Sequence, residues 1–204
     1  MKDFQTLLTH YRGRQHPLDY QNRYQLVVMV VLSAQDSDRH INSLAAPFFA
    51  AFRNLAALAK ATPADLEPFL GKIVNAGNKI KWLLTLANTV QTDQAIPTNL
   101  VGLTSLPGIG RKSANVIVRE SGGQAEGVIV DLHVVRVAPR IGIASGERPD
   151  KIEKQLMGFF PPEQWSEIGM ALSFLGREIC RPTNPKCNSC PMNQVCAYFT
   201  ALGA

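Results

Sequence analysis

Four cysteines carry the sharpest chemical signal in this 204-residue chain, with the spacing Cys180-x6-Cys187-x2-Cys190-x5-Cys196. Pro182, Pro185 and Pro191 stiffen the segments between them. A disulfide framework would join distant loops, whereas four thiols on one short wrap point to a metal centre in a reducing compartment. An iron-sulfur cubane and a four-thiolate zinc site both accept this donor set. Zinc ribbons usually supply two short knuckles, and here only Cys187 and Cys190 form one. The loop Arg181-Pro-Thr-Asn-Pro-Lys186 holds two cations on a stiff tether, as a phosphate contact or as a solvated loop.

A second signal is Leu106-Pro107-Gly108-Ile109-Gly110-Arg111-Lys112, between stretches expected to be helical at about 98–105 and 111–121. Gly108 and Gly110 permit tight turning and leave amides uncovered where the helix dipole favours an anion, the way a helix-hairpin-helix grips a DNA phosphate. Lys112 falls in the first turn of the second helix, where the dipole disfavours a further positive charge and should lower the lysine pKa. The residue is then either a neutral amine nucleophile or one more phosphate-binding cation. Cleavage of a sugar–base bond also needs a fixed anion near C1′, and Asp131 is the candidate. Asp131 also reads as the N-cap of a helix beginning Leu132-His133-Val134-Val135-Arg136, and the two roles are compatible. His133 and Arg136 then help with phosphates or the sugar, or His133, like most histidines on a helix surface, has no chemical role.

The elements that must position these groups read as helices. Thr62-Pro63-Ala64-Asp65 looks like a capped start, and Pro161-Pro162 opens a helix with Trp165, Ile168, Leu172, Leu175 and Ile179 on one face. The apolar run Leu26 to Leu32 is far shorter than the roughly 20 residues needed to cross a bilayer, so a buried helix is expected. The β-branched run Gly127 to Val130 has no partner run and reads as an extended connector. Together these features predict an all-α protein. Lys and Arg outnumber Asp and Glu by 21 to 16, a net charge of +5 that favours a polyanionic partner. The N-terminal residues show no apolar core or cleavage site, so the expectation is a cytoplasmic, nucleoid-associated protein with no membrane partner.

In order along the chain, Leu32-Ser-Ala-Gln-Asp-Ser-Asp38, Leu106-Pro-Gly-Ile-Gly-Arg-Lys-Ser-Ala-Asn-Val116, Val130-Asp-Leu-His-Val-Val-Arg136 and the Cys180 to Cys196 spacing resemble the endonuclease III family of helix-hairpin-helix glycosylases. The resemblance implies a two-domain all-α fold: a six-helix barrel over 21–127, and an iron-sulfur cluster domain built from 1–20 and 128–204. It implies a [4Fe-4S] cluster on Cys180, Cys187, Cys190 and Cys196, with DNA lying in a cleft whose mouth is flanked by Lys112 and Asp131. The implied partner is double-stranded DNA with damaged pyrimidines or abasic sites, bound by a monomer. The implied activity is that of a bifunctional DNA glycosylase and abasic-site lyase in base excision repair. Lys112 attacks C1′ of a flipped nucleotide, and Asp131 activates it or steadies developing positive charge. Gln35 fills the gap, and the hairpin residues Leu106 to Arg111 hold phosphate, with His133, Arg181 and Lys186 as further DNA contacts.

One loop departs from the family pattern. Where relatives typically have Ile-Gly-Leu-Tyr-x-x-Lys, this chain reads Ile73-Val74-Asn75-Ala76-Gly77-Asn78-Lys79. The bulky Leu and Tyr of the lesion-probing wedge become Asn75 and Ala76, next to Gly77. Competing readings are a uracil or thymine mismatch glycosylase, a catalytically weak lesion-binding module, and an electron carrier. An adenine-specific relative usually lacks the lysine at position 112, and the pair Lys112 and Asp131 exceeds what phosphate binding alone requires.

Overall fold

The computed structural model describes residues 4–203. Among the described residues the chain forms α1 (Gln5–His10), α2 (Arg23–Leu32), α3 (Asp38–Ala51), α4 (Leu55–Leu58), α5 (Pro63–Leu70), α6 (Ala76–Val90), α7 (Leu100–Thr104), α8 (Arg111–Glu120), α9 (Leu132–Ile141), α10 (Pro149–Phe159), α11 (Trp165–Glu178) and α12 (Ala197–Ala201), with short 3-10 turns and no strand. The fold is all-α, as expected. None of these helices is long and apolar enough to cross a membrane. The chain divides into two compact units, one spanning 15–123 and the other joining the segment up to Arg14 with everything from Gln124 onward.

In the 15–123 unit, α2 is apolar on every side and therefore has to be enclosed. Tyr24 and all seven residues from Leu26 to Leu32 are buried. Asn22 caps its start by accepting from Gln25 N at 2.9 Å, and α3, α6 and α8 pack around it. The expected start of α5 is present: the Asp65 carboxylate accepts from Thr62 N and Oγ1 at 2.8 and 2.7 Å. Helix α7 begins later than the sequence suggested because Asn99 acts as its cap, accepting from Gly102 N at 2.7 Å.

The other unit is organised by α9 on α11, with α1 against α11 and both α10 and α12 against α9. Of the α11 face read from sequence, Ile168, Leu172 and Leu175 have no exposed surface, while Trp165 and Ile179 are half-buried; the helix itself starts at Trp165 after a 3-10 turn at Pro162–Gln164, and Ile179 caps its end. The segment Val128, Ile129, Val130 is buried as an extended connector outside any strand, which agrees with its lack of a partner run. What brings the connector and α9 onto α11 is the absence of side chains at two points. A Cβ on Gly169 would lie 2.6 and 2.7 Å from the backbone O and N of Ile129, and one on Gly176 would lie 2.8 Å from His133 Cβ.

Because the obstruction at Gly169 is backbone, a methyl group there has nowhere to go. Gly169→Ala is expected to lower unfolding stability by about 1–3 kcal/mol, read as a fall in urea midpoint at unchanged slope. A midpoint equal to that of the wild type would contradict this packing.

Candidate active site and cysteine centre

Asp131 sits at the N-terminus of α9, and both of its carboxylate oxygens are engaged. Oδ1 accepts from the backbone N–H groups of His133 and Val134, each at 2.9 Å, which makes Asp131 the helix cap read from sequence. Oδ2 accepts from Ser173 Oγ at 2.6 Å, and Arg177 Nη2 lies 4.0 Å away. The side chain is largely buried, with 11% of its surface exposed. Sequence reasoning found Asp131 but missed Ser173 and Arg177. They lie 42 and 46 positions further along the chain, and only the helix-on-helix packing brings them near.

Lys112 occupies the second position of α8 and is exposed. The turn before it has two glycines with different reasons. Gly108 has φ +79° and packs so closely that a Cβ would lie 2.9 Å from the Trp82 ring, so its glycine is demanded by the fold. Gly110 differs from the sequence reading. Its φ is −85°, an ordinary value, and a Cβ there would meet no protein atom within 4 Å. Nothing inside the protein requires a glycine at that position, which is exposed and caps α8 with no side-chain bond. What it provides is open access to the helix N-terminus, where the dipole favours an anion. Leu106 and Ile109 are buried anchors of the turn, Pro107 is half-buried, and Arg111 is exposed.

Gln35 and Asn75 share an unusual backbone state: both have left-handed φ, +61° and +59°, and both are exposed. Their two loops are joined by residues the sequence reading did not single out. Asp36 Oδ2 accepts from Val74 N at 3.1 Å, while its Oδ1 accepts from Ser37 N at 2.8 Å and lies 2.9 Å from His40 Nδ1. Burial alone would raise the Asp36 pKa, but the His40 contact and the two backbone donors outweigh it and hold the carboxyl below its usual range. Lys79, only 1% exposed, donates from Nζ to Leu32 O at 2.7 Å, closing the C-terminus of α2. Burial lowers its pKa, opposed by Asp36. Asn75 Oδ1 accepts from Asn78 Nδ2 at 2.7 Å, Ala76 is half-buried and Gly77 is exposed.

Cys180, Cys187, Cys190 and Cys196 line one small pocket walled by Ile141, Leu175, Ile179, Pro185, Tyr198 and Phe199. Burial in these apolar surroundings pushes the Cys190 thiol up to about 11, and burial raises Cys187 as well, with the neighbouring thiols adding to both. At Cys187 and Cys190 the surroundings therefore disfavour bare thiolates. No three His, Cys, Asp or Glu side chains among the described residues converge closely enough to hold a single metal ion.

Two arginines of α9 brace this centre. Arg136 donates from Nε to Cys180 O at 3.1 Å, and from Nη2 to Gly176 O at 2.9 Å and His133 Nδ1 at 3.2 Å. Its guanidinium is turned into the protein as a pin, which differs from the phosphate or sugar contact suggested by its position in sequence. Arg140 donates to Arg181 O and Pro182 O at 2.8 and 3.2 Å, lies 3.7 Å from Cys180 Sγ, and stacks over the Tyr198 ring. Arg181 and Lys186 project from the proline-stiffened loop and are exposed, and half-buried His133 lies in the first turn of α9.

Residues 28–162 match the model of the HhH-GPD superfamily of base excision DNA repair proteins. The chain is 31% identical over 188 residues to endonuclease III of Synechocystis sp., spanning 91% of this chain and 86% of that protein. It is 33% identical over 182 residues to endonuclease III of Bacillus subtilis, spanning 88% and 83%. A trapped covalent intermediate of endonuclease III with DNA superimposes with a TM-score of 0.87 at 29% identity, covering 97% of this chain and 94% of the other. With this architecture and these relatives, the chain belongs to the endonuclease III family within the HhH-GPD superfamily of base excision DNA repair proteins.

Proposed function

We propose that this protein is a bifunctional DNA glycosylase and abasic-site lyase acting on oxidised pyrimidines in double-stranded DNA, with Lys112 as nucleophile and Asp131 as its carboxylate partner. The observation that carries this reading is an exposed lysine in the first turn of a helix whose N-terminus is left open by a glycine that the fold does not need. Phosphate binding accounts for the glycine. It does not account for a lysine held where the dipole works against an ammonium ion.

In the proposed reaction the damaged nucleotide leaves the stack, because its C1′ is shielded inside the duplex. Lys112 Nζ forms a bond to C1′ as the C1′–N bond to the base breaks, and the bonding pair leaves with the base, which takes up a proton. Asp131 offers a fixed negative charge to the cationic character that develops at the sugar. The Nζ lone pair then forms a double bond to C1′ as the C1′–O4′ bond breaks, and O4′ takes up a proton, leaving an iminium between Nζ and C1′. The iminium acidifies the C2′ hydrogen, and once that proton is lost its electrons expel the 3′ phosphate, cutting the strand. Water then releases the unsaturated aldehyde and returns the amine. The backbone around Gly108 and Gly110, with Leu106, Pro107, Ile109 and Arg111, holds phosphate. His133, Arg181 and Lys186 add DNA contacts, Gln35 fills the vacated position, and the Asn75, Ala76 and Gly77 loop meets the opposite strand.

A [4Fe-4S] cluster fits the cysteine centre, and Cys180, Cys187, Cys190 and Cys196 would hold it. The support is an all-sulfur donor set lining one apolar pocket. When bound, the cluster supplies a covalent cross-link that fixes the Arg181 to Lys186 loop. No bond is made or broken on it in this reaction.

Borohydride added during cleavage of abasic DNA is expected to trap a covalent adduct with the wild type and none with Lys112→Ala; undiminished trapping by the variant would move the nucleophile elsewhere. Purified protein should be brown, with visible absorbance and about four irons and four sulfides per chain, and a colourless, zinc-loaded protein would refute the cluster assignment. The loss of an apolar wedge at Asn75 and Ala76 removes part of what offsets base unstacking, roughly a few kcal/mol per step. Cleavage of abasic DNA should accordingly be ready, while excision of thymine glycol should be slower than for a family member carrying Leu and Tyr. Equal excision rates in a side-by-side assay would remove that inference.

A further inference from the structure

Residues 169, 173 and 176 fall on one face of α11, and in this chain all three are small. Gly169 and Gly176 have a steric reason, the backbone of Ile129 and the side chains of α9. Ser173, between them, is 1% exposed. A buried helical serine commonly turns its hydroxyl back to a carbonyl of its own preceding turn. Ser173 Oγ reaches out of its helix to Asp131 Oδ2, at 2.6 Å. Alanine would serve the packing equally well without placing a polar group in the interior, so the hydroxyl has to be explained by its partner.

Behind the hydroxyl stands a charge. Arg177, one turn further along α11, has its Nε 3.5 Å from Ser173 Oγ and its Nη2 4.0 Å from Asp131 Oδ2. Three donors, two backbone N–H groups and one hydroxyl, thus meet the two oxygens of Asp131 from two different helices, with a guanidinium at the rear. The capping bonds hold the carboxylate through Oδ1 alone. The Ser173 bond anchors its second oxygen from another helix.

We infer that Ser173, backed by Arg177, is the positioning residue that fixes Asp131 in a single orientation, so that its carboxylate works as a preset charge and not as a mobile proton carrier. The inference rests on the reading of Asp131 as the active carboxylate. A preset charge requires no rearrangement as the sugar becomes cationic, and this is where electrostatic catalysis gains its advantage. Losing the hydroxyl leaves α9 capped by the Oδ1 bonds, so the effect falls on the chemical step and leaves DNA binding and folding intact.

The test compares wild type, Ser173→Ala, Ser173→Thr, Arg177→Gln and Asp131→Asn. Three quantities are measured: the single-turnover excision rate on a thymine glycol duplex, affinity for a duplex carrying a tetrahydrofuran abasic analogue, and the melting temperature. S173A is expected to lose about tenfold in rate, with affinity and melting temperature close to wild type. S173T, which keeps the hydroxyl, should recover most of the rate, and R177Q should lose about threefold. S173A at the wild-type rate beside an inactive D131N overturns the positioning role while leaving the proposed activity standing. A loss that follows a fall in melting temperature in both S173A and S173T also overturns it, because that is what a purely structural serine would give. If S173A does not fold, R177Q at the wild-type rate overturns it. D131N at the wild-type rate brings down the reading of Asp131 itself.

Discussion

The close seating of the 129–137 stretch on α11 is the constraint on which the site in this unit depends. Two glycines make it possible, each opposite an atom that a methyl group would strike. From that one contact follow the reach of Ser173 to Asp131 and the reach of Arg136 to the carbonyls of Gly176 and Cys180. Helix α9 begins at the proposed active carboxylate and carries Arg136 and Arg140, which hold the first cysteine and its following loop. Helix α11 carries the serine and runs into Cys180. Asp131 and the cysteine centre therefore share one pair of helices, held through Ser173 at the carboxylate and through Arg136 and Arg140 at the first cysteine.

The 15–123 unit uses a different device for a related purpose. Two of its exposed residues with positive φ, Gln35 and Asn75, sit on loops that would each be loose alone. Asp36 joins them by accepting from Val74, and Lys79 secures the end of α2 from which the Gln35 loop departs. A buried lysine is costly to desolvate. Placing it against the carbonyl end of a helix gives the charge a hydrogen-bond partner, and the Asp36 carboxylate nearby adds to it. Asn75 takes a left-handed conformation more readily than leucine would, which gives asparagine a local backbone advantage at this position.

Much of this was legible in the sequence because it is local. The cysteine spacing, the glycine turn before Lys112, the cap at Asp131 and the apolar run of α2 are each contained within a few residues. What escaped are groups whose meaning comes from long-range packing. Ser173 reads as one small residue on an apolar helix face, and nothing in its neighbourhood points to Asp131. Arg136 reads as a cation beside the active carboxylate, yet packing turns it inward to a cysteine carbonyl. Of the two roles the sequence offers for Gly110, turning the chain and leaving amides uncovered, its ordinary φ supports only the second.

The two proposed active groups also occupy opposite situations in the field of the backbone. Lys112 and Asp131 both stand at helix N-termini, where partial positive charge gathers. For Asp131 that charge is favourable, and two N–H groups meet the carboxylate directly. For Lys112 the same effect, about 0.3–1 kcal/mol at an exposed end, acts against the ammonium form and toward the amine that attacks carbon. One kind of helix terminus thus suits the carboxylate of Asp131 and works against a cation at Lys112. The size of that bias is modest, so most of the preparation has to come from bound DNA excluding water around Lys112, and from the fixed donors around Asp131.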